Sequence, residues 1–488
     1  MLSLSLVELW ERFSYYGIRP LLILYMSALI INGGLGMDVK QAAAIVGIFG
    51  GFTYLMPLFG GYLADSWLGQ KRATFYGAII IALGHLSIAF SALFGMLFFF
   101  LGLLFIASGV GLFKTCSSVM VGMLYGNHDN RRDSGFTIFY MGINLGAFIA
   151  PLIVGLINKQ YGWHWGFGIG GFGMLISLII FYFKTLKDLG EFEDVFNIKS
   201  SFQGPKTPGI TPKILAIAYV IIVGIIVILQ YNAFISLDPI AISRYMTYII
   251  ASLALLYFLY LFVTSSDSKS RRNLITLFIL LIAAAIFWST FEQQAIAFNL
   301  FADKYTDRNI LGFVIPTEWF QSINPLIIII FAPILGYIWI ALDRKGFGIS
   351  SFSKFALGLV FAGLGYVIMY FGAKVLLSTG TFVSPLWLAS SFFLLTIGEL
   401  CLSPIGLSVM TQIAPDRLKS QMMGLWFVSS TLGYLVAGIL GGHVGGDDLS
   451  SMPDLFKQIA LTLFIPAIVL FILIFLLKLR KRSQNKGA

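Results

Sequence analysis

The chain has 488 residues, 58% of them hydrophobic and only 11% charged, with a mean hydropathy of +0.89. A water-soluble domain carries about 25% charged residues, so this composition excludes a soluble enzyme and requires a chain that crosses a membrane many times. The net charge of +10 does not indicate nucleic acid, because the basic residues sit in the connections between apolar runs.

Runs of about 20 apolar residues, enough to cross a bilayer as a helix, occur near 5–31, 41–63, 74–94, 97–125, 135–158, 166–183, 214–235, 246–264, 274–301, 319–341, 355–374, 386–412, 420–440 and 456–477. These fourteen spans predict an all-α membrane protein. The first lacks a basic n-region and holds charges where an apolar h-region would stand, so it is not expected to be a cleaved signal peptide. With the N-terminus inside, 22 of the 32 Lys and Arg fall in cytoplasmic segments, 7 outside and 3 within spans. This bias places both termini on the cytoplasmic side. The basic tail Lys478–Lys486 reads as an anchor at the membrane surface. Cys116 and Cys401 both fall inside spans, so no disulfide framework is indicated.

The first span carries four charges on one face. Taken from Glu8, its charged and tyrosine positions Glu11, Arg12, Tyr15, Tyr16 and Arg19 follow at offsets 3, 4, 7, 8 and 11. At about 100° per residue they occupy an arc of roughly 140°. A charge at mid-bilayer costs about 3 kcal/mol, so the stripe must face water, a partner charge or a ligand.

The longest polar interruption, 184–213, follows six spans. Two plain apolar spans come next, and a second block of six begins near 274. Six, two and six predicts two six-helix bundles with an inserted hairpin, and a substrate site near the bilayer midplane. The expected divisions are an N-terminal bundle 1–184, a cytoplasmic linker 185–213, a transmembrane hairpin 214–264, a C-terminal bundle 274–480 and a basic tail 481–488.

Seven charges fall within spans: Glu8, Glu11, Arg12, Arg19, Lys114, Glu292 and Glu399. Unpaired in lipid they would cost roughly 20 kcal/mol, so they must share a wet cavity. All three cations lie in the first block, and the second holds only acids. That asymmetry suits a zwitterion, its carboxylate toward Arg and Lys and its amine toward a glutamate. A surplus carboxylate could hold a proton, since burial favours the neutral form.

Several motifs carry a family resemblance. Gly60-Gly61-Tyr62-Leu63-Ala64-Asp65, continuing to Gly69, Lys71 and Arg72, resembles the loop signature of the major facilitator superfamily; its aspartate is placed to pair with a basic residue or a helix end. Glu8-x-x-Glu11-Arg12-Phe13-x-Tyr15-Tyr16-Gly17 resembles the first-helix motif of the proton-dependent oligopeptide transporter (POT) family. Phe139-Tyr140, with Ile143-Asn144 and Gly146-Ala147, resembles its fifth-helix signature. Phe287-Trp288 with Glu292-Gln293 is similar to its seventh-helix motif. Gly398-Glu399, Ser403-Pro404 and Gly406, followed by Met422, Gly424 and Trp426-Phe427, resemble its tenth and eleventh helices.

The resemblance implies a proton-coupled symporter of di- and tripeptides, driven by the proton gradient, with no cofactor or metal, and functional as a monomer in the lipid bilayer. It implies that Glu8, Glu11, Arg12 and Glu292 couple protons. Arg19 and Glu292 would form the salt bridge of the outer gate, with Lys114 and Glu399 also among the gating charges. The peptide would be held by Arg12, Arg19, Lys114, Asn144, Asn324, Glu399 and Ser403, and its side chains by Tyr16, Tyr54, Trp288 and Trp426. From burial alone, such aromatics are equally core residues. Thr115 departs from the family pattern, which has proline after the fourth-span lysine. His85, His128, His164 and His443 are expected to be structural or solvated, and Glu318 an interfacial anchor.

Other readings have less support. Relatives within the family carry nitrate or larger solutes, but Lys114 together with Glu399 favours ligands bearing both charges. An intramembrane enzyme could use buried carboxylates, yet the chain has no His-Glu-x-x-His, Gly-x-Ser-x-Gly or phosphate-loop motif. A channel would need no alternating charge pairs.

Overall fold

Backbone polar groups in lipid must be satisfied within the segment, which makes each apolar run a helix, and every expected span is helical in the computed structural model of the chain. The described residues are all except 126–128, 130, 197–201, 206–208, 266, 414–418, 445–448, 487 and 488, and, within helices, the side chains of 405, 407, 410–413, 419, 420 and 477–486. His128 therefore lies outside the described residues, as do the side chains of the basic tail. Among the described residues thirteen helices are long and apolar enough to cross a membrane. The remaining span is α1, Leu2–Ser27. Its four charges break the apolar run, yet it is among the most buried helices.

The chain divides into two compact units, Met1–Ile242 and Ser243–Ala488. In the first, α1 is followed by α2 (Val39–Leu63), α3 (Gln70–Phe94), α4 (Met96–Met123), α5 (Arg131–Tyr161), α6 (Trp163–Ile180), a short α7 (Leu186–Phe196) and α8 (Ile210–Tyr231). The second holds α9 (Pro239–Thr264), α10 (Ser268–Phe291), α11 (Ala297–Tyr305), α12 (Ile323–Arg344), α13 (Ser351–Thr379), α14 (Leu386–Ile413), α15 (Lys419–Gly441) and α16 (Met452–Lys486).

The two sets of six spans repeat one packing scheme. In the first unit α1 packs on α5, α2 on α4, and α3 on both α4 and α6. In the second, α10 packs on α15, α12 on α14, and α13 on both α14 and α16. The internal repeat is thus visible in the packing, where the residues alone show only the span count. Glycine sets the closest approaches, as it does wherever membrane helices meet backbone to backbone. A Cβ on Gly84 of α3 would fall 2.7 Å from the Gly102 carbonyl oxygen of α4. In the repeat, a Cβ on Gly398 of α14 would fall 2.6 Å from the Gly358 carbonyl oxygen of α13.

The two helices of the inserted pair belong to different units. Helix α8 docks on the first, where the Tyr219 and Ser108 hydroxyls lie 2.7 Å apart. Helix α9 docks on the second, where Ser243 Oγ donates to the Leu435 carbonyl at 3.1 Å. The polar linker contains α7, whose Leu189, Phe192 and Phe196 recur at helical spacing among charges that mask the pattern. Ser3 Oγ donates to Asp188 Oδ2 at 2.6 Å and Lys71 Nζ meets Glu193 Oε2 at 2.7 Å, tying α7 to the starts of α1 and α3.

Candidate functional site

In the first unit the charged face of α1 is enclosed: Glu8, Glu11 and Arg12 are 2%, 1% and 5% exposed. Buried charges persist only when paired and hydrogen-bonded, and Arg12 serves both acids. Its Nη2 donates to Glu11 Oε1 at 2.7 Å, its Nε donates to the other oxygen of Glu11, and Nε also lies 3.4 Å from Glu8 Oε1. One guanidinium against two ionised carboxylates leaves one negative charge in excess. The remaining contact comes from α4, where Ser117 Oγ donates to Glu8 Oε2 at 2.8 Å. Lys114, one turn before Ser117, acts on Glu8 through space.

Each of the three cations within the spans of this unit also faces an aromatic ring. Lys114 Nζ lies 3.7 Å from the ring centroid of Tyr54, the Arg19 guanidinium 5.9 Å from that of Tyr16, and Arg12 5.3 Å from that of Tyr15. Such pairs stabilise a cation in place of its water shell. Tyr16, Tyr54 and Lys114 are half-buried. Asn144 is buried in α5 and donates to its own helix, at the Tyr140 carbonyl. Helix α4 runs unbroken through Thr115, whose hydroxyl donates to the Pro57 carbonyl at 3.4 Å, so the residue found where the family has proline ties α4 to α2.

In the second unit α10 ends at Phe291 and a tighter turn, Glu292–Ala295, precedes α11. Glu292 stands at this break, 3% exposed. Neighbouring side-chain amides brace it: Gln293 Nε2 donates to the Ala437 carbonyl at 3.0 Å, and Gln321 Nε2 to the Gln294 carbonyl at 2.6 Å. One turn earlier Trp288 is buried between Phe287 and Phe291, ring centroids 5.5 Å away in each case. Its Nε1 has no hydrogen-bond partner among the described residues. A buried donor left unmade is costly. Trp426 is 5% exposed and packs flat on Gly406, where any Cβ would collide with the indole.

Helices α12 and α14 meet through Asn324, whose Nδ2 donates to Glu399 Oε2 and to Thr396 Oγ1, each at 3.0 Å. Asn324, Glu399 and Ser403 remain half-buried, while Thr396 is fully enclosed. Each unit therefore holds its own cluster, cations and acids in the first, acids and amides in the second.

Ser117, which with Ser118 supplies polar atoms beside Thr115 in the sequence, and Thr396 carry no motif that marks their contacts. Serine and threonine are common in membrane helices, and only their partners, distant in sequence, distinguish these two. Two expectations need correction. Asp65 accepts from Gln70 Nε2 at 2.7 Å, the first residue of α3, instead of from a basic side chain, because Lys71 is engaged by Glu193. Glu318 is not an exposed anchor: it is 3% exposed, drawn inward by the turn Thr317–Ser322 that precedes α12. His85 is buried with Nε2 2.5 Å from Ser14 Oγ, and His443 is exposed, in keeping with structural and solvated roles.

The POT family model matches residues 71–445. The chain is 53% identical over 476 residues to the Peptide transporter YePEPT of Yersinia enterocolitica, covering 97% of this chain and 93% of that one. It is 36% identical over 445 residues to a Di-/tripeptide transporter of Lactococcus lactis, covering 88% and 86%. Among solved structures it is similar to a peptide transporter POT in complex with sulfate, with a TM-score of 0.87 and 36% identity over 96% of this chain and 93% of that one.

Proposed function

The chain belongs to the POT family, a family of multi-pass membrane transporters and not of enzymes, and from that premise we propose that it imports di- and tripeptides with protons by alternating access. The observation that carries this reading is the division of charge. Cations within the spans of the first unit are backed by tyrosines, and an acid–amide pair, Glu399 with Asn324, stands in the second. A zwitterionic peptide needs both.

In this reading the peptide carboxylate is taken by Lys114, Arg12 and Arg19, and the amino terminus by Glu399 and Asn324. Asn144 and Ser403 contribute to the peptide backbone, and Tyr16, Tyr54, Trp288 and Trp426 to its side chains. A proton arriving at Glu8, Glu11 or Glu292 neutralises a carboxylate and releases its cationic partner. Arg19 pairs with Glu292 when the outer side is shut and is freed by protonation, while Lys114 and Glu399 answer the substrate charges. Since linkage is reciprocal, the peptide tightens proton binding as the proton tightens peptide binding. The driving force is the proton gradient, without a cofactor. The working form is a monomer in a bacterial inner membrane with both termini cytoplasmic, built from the bundles 1–184 and 274–480 joined by the linker 185–213 and the hairpin 214–264.

Uptake of labelled dialanine into proteoliposomes tests the proposal. An inward proton gradient is expected to drive accumulation above equilibrium, with competition by tripeptides and none by amino acids or nitrate. Flux that only equilibrates, or competition by nitrate, would contradict it.

A further inference from the structure

The amide of Asn324 can face two ways, and its neighbours decide which. Thr396 Oγ1 donates its single proton to the Phe392 carbonyl one turn back, at 2.7 Å. Toward Asn324, 3.0 Å away, that oxygen can therefore only accept. The amide must present Nδ2 to Thr396, and Glu399 Oε2 accepts from the same nitrogen at 3.0 Å. The acceptor Oδ1 then occupies the other branch of the amide. Flipping it would bring Oδ1 against the lone pairs of Thr396, whether or not Glu399 carries a proton. The lock itself is dry, since Thr396 is 0% exposed, while Asn324 and Glu399 are half-buried.

We propose that Thr396 is a positioning residue: it holds Asn324 with Nδ2 turned to Thr396 and Glu399 and its carbonyl oxygen on the opposite branch, so that this oxygen and the Glu399 carboxylate together offer acceptors that select ligands bearing an N–H-rich cationic end. The inference rests on the peptide-transport reading above and assigns selectivity for the free amino terminus to a residue that need not touch the ligand. Without the threonine hydroxyl, protonation of Glu399 would allow the amide to turn, and selectivity would weaken on acidification. With it, the amide keeps its orientation whether or not Glu399 carries a proton.

Initial rates of dialanine uptake, competed by N-acetyl-dialanine, are to be measured at neutral and acidic pH in Thr396→Val and Thr396→Ser. The valine variant is expected to raise KM about tenfold, the scale of one lost hydrogen bond at a charged site. Its maximal rate should be retained, and its preference for the free amine should fall by a similar factor, most at acidic pH. The serine variant keeps the hydroxyl and should behave as wild type. Thr396→Ala gives the same readout should the valine variant fail to reconstitute. Wild-type KM and preference in both hydroxyl-free variants would overturn the inference, as would an equal loss in the serine variant, which would indicate shape instead of hydrogen bonding. Wild-type protein that takes up no dialanine would overturn the peptide-transport reading itself, a separate result.

Discussion

Ser117 Oγ donates to Glu8 Oε2 at 2.8 Å, joining the fourth helix to the charged first helix inside a closed cluster. The same hydroxyl lies 3.2 Å from the Lys114 carbonyl, so Ser117 links the backbone that carries Lys114 to the acid that shares Arg12. A hydrogen bond to a charged group is worth about 1.5–3 kcal/mol. Ser117→Ala should therefore reduce proton-driven accumulation of dialanine about tenfold, and Ser117→Thr should restore it. Accumulation ratios in proteoliposomes check this, and an unaffected alanine variant would remove Ser117 from the coupling cluster.

Glu11→Gln and Glu292→Gln each abolish a carboxylate while keeping its shape. Accumulation against a gradient should be lost in both, whereas exchange of peptide across the membrane at equal pH should fall far less. Counterflow and gradient-driven uptake, measured on the same proteoliposomes, separate the two. Intact accumulation in the double variant would refute carboxylate coupling.

Gly398→Ala places a methyl group 2.6 Å from the Gly358 carbonyl oxygen, against backbone that cannot yield. Overpacking of this kind costs about 1–3 kcal/mol. The variant should melt at a lower temperature, and it should also transport poorly because Glu399 is the next residue. Gly168→Ala, which meets nothing within 4 Å, is the control expected to change neither.

Lys71 and Glu193 hold the linker helix against the start of α3 at 2.7 Å, with side chains 16% and 9% exposed. Removing only the lysine strands a largely buried carboxylate, so Lys71→Ala should cost about 2 kcal/mol. Lys71→Ala combined with Glu193→Gln should recover part of that loss. Thermal unfolding of the single and double variants in detergent measures the coupling, and strict additivity would argue against the contact.

Asp267 caps the N-terminus of α10. Bonds from the Ser270 hydroxyl and from the backbone N–H groups of Ser270 and Lys269 favour its ionised form and hold its carboxyl below the usual range. A lowered carboxyl contributes stability that is present above its unfolded value and lost as pH falls through the folded one. Asp267→Ala should thus lower the melting temperature at neutral pH, and the difference from wild type should shrink on strong acidification. A gap that persists in acid would show that the cap acts through something other than its charge.

The helical spans and the charged stripe of α1 could be read from the residues because both are local. A run of apolar residues must become a helix in lipid, and spacings of three and four place Glu8, Glu11 and Arg12 on one face of a single helix. The motifs likewise pointed to Glu8, Glu11, Arg12 and Glu292, which the structure buries. The lines of contact were not local. Ser117 reaches Glu8 across 109 residues and Asn324 reaches Thr396 across 72, and no periodicity within one helix encodes such pairs. The linker helix α7 was hidden because its apolar positions are few and its charges many. Composition and short-range spacing thus determined the number of spans and which charges must be buried. Packing at the glycine contacts decided which hydroxyls and amides meet those charges, because a hydrogen bond depends on how closely two helices approach and not on what either one contains.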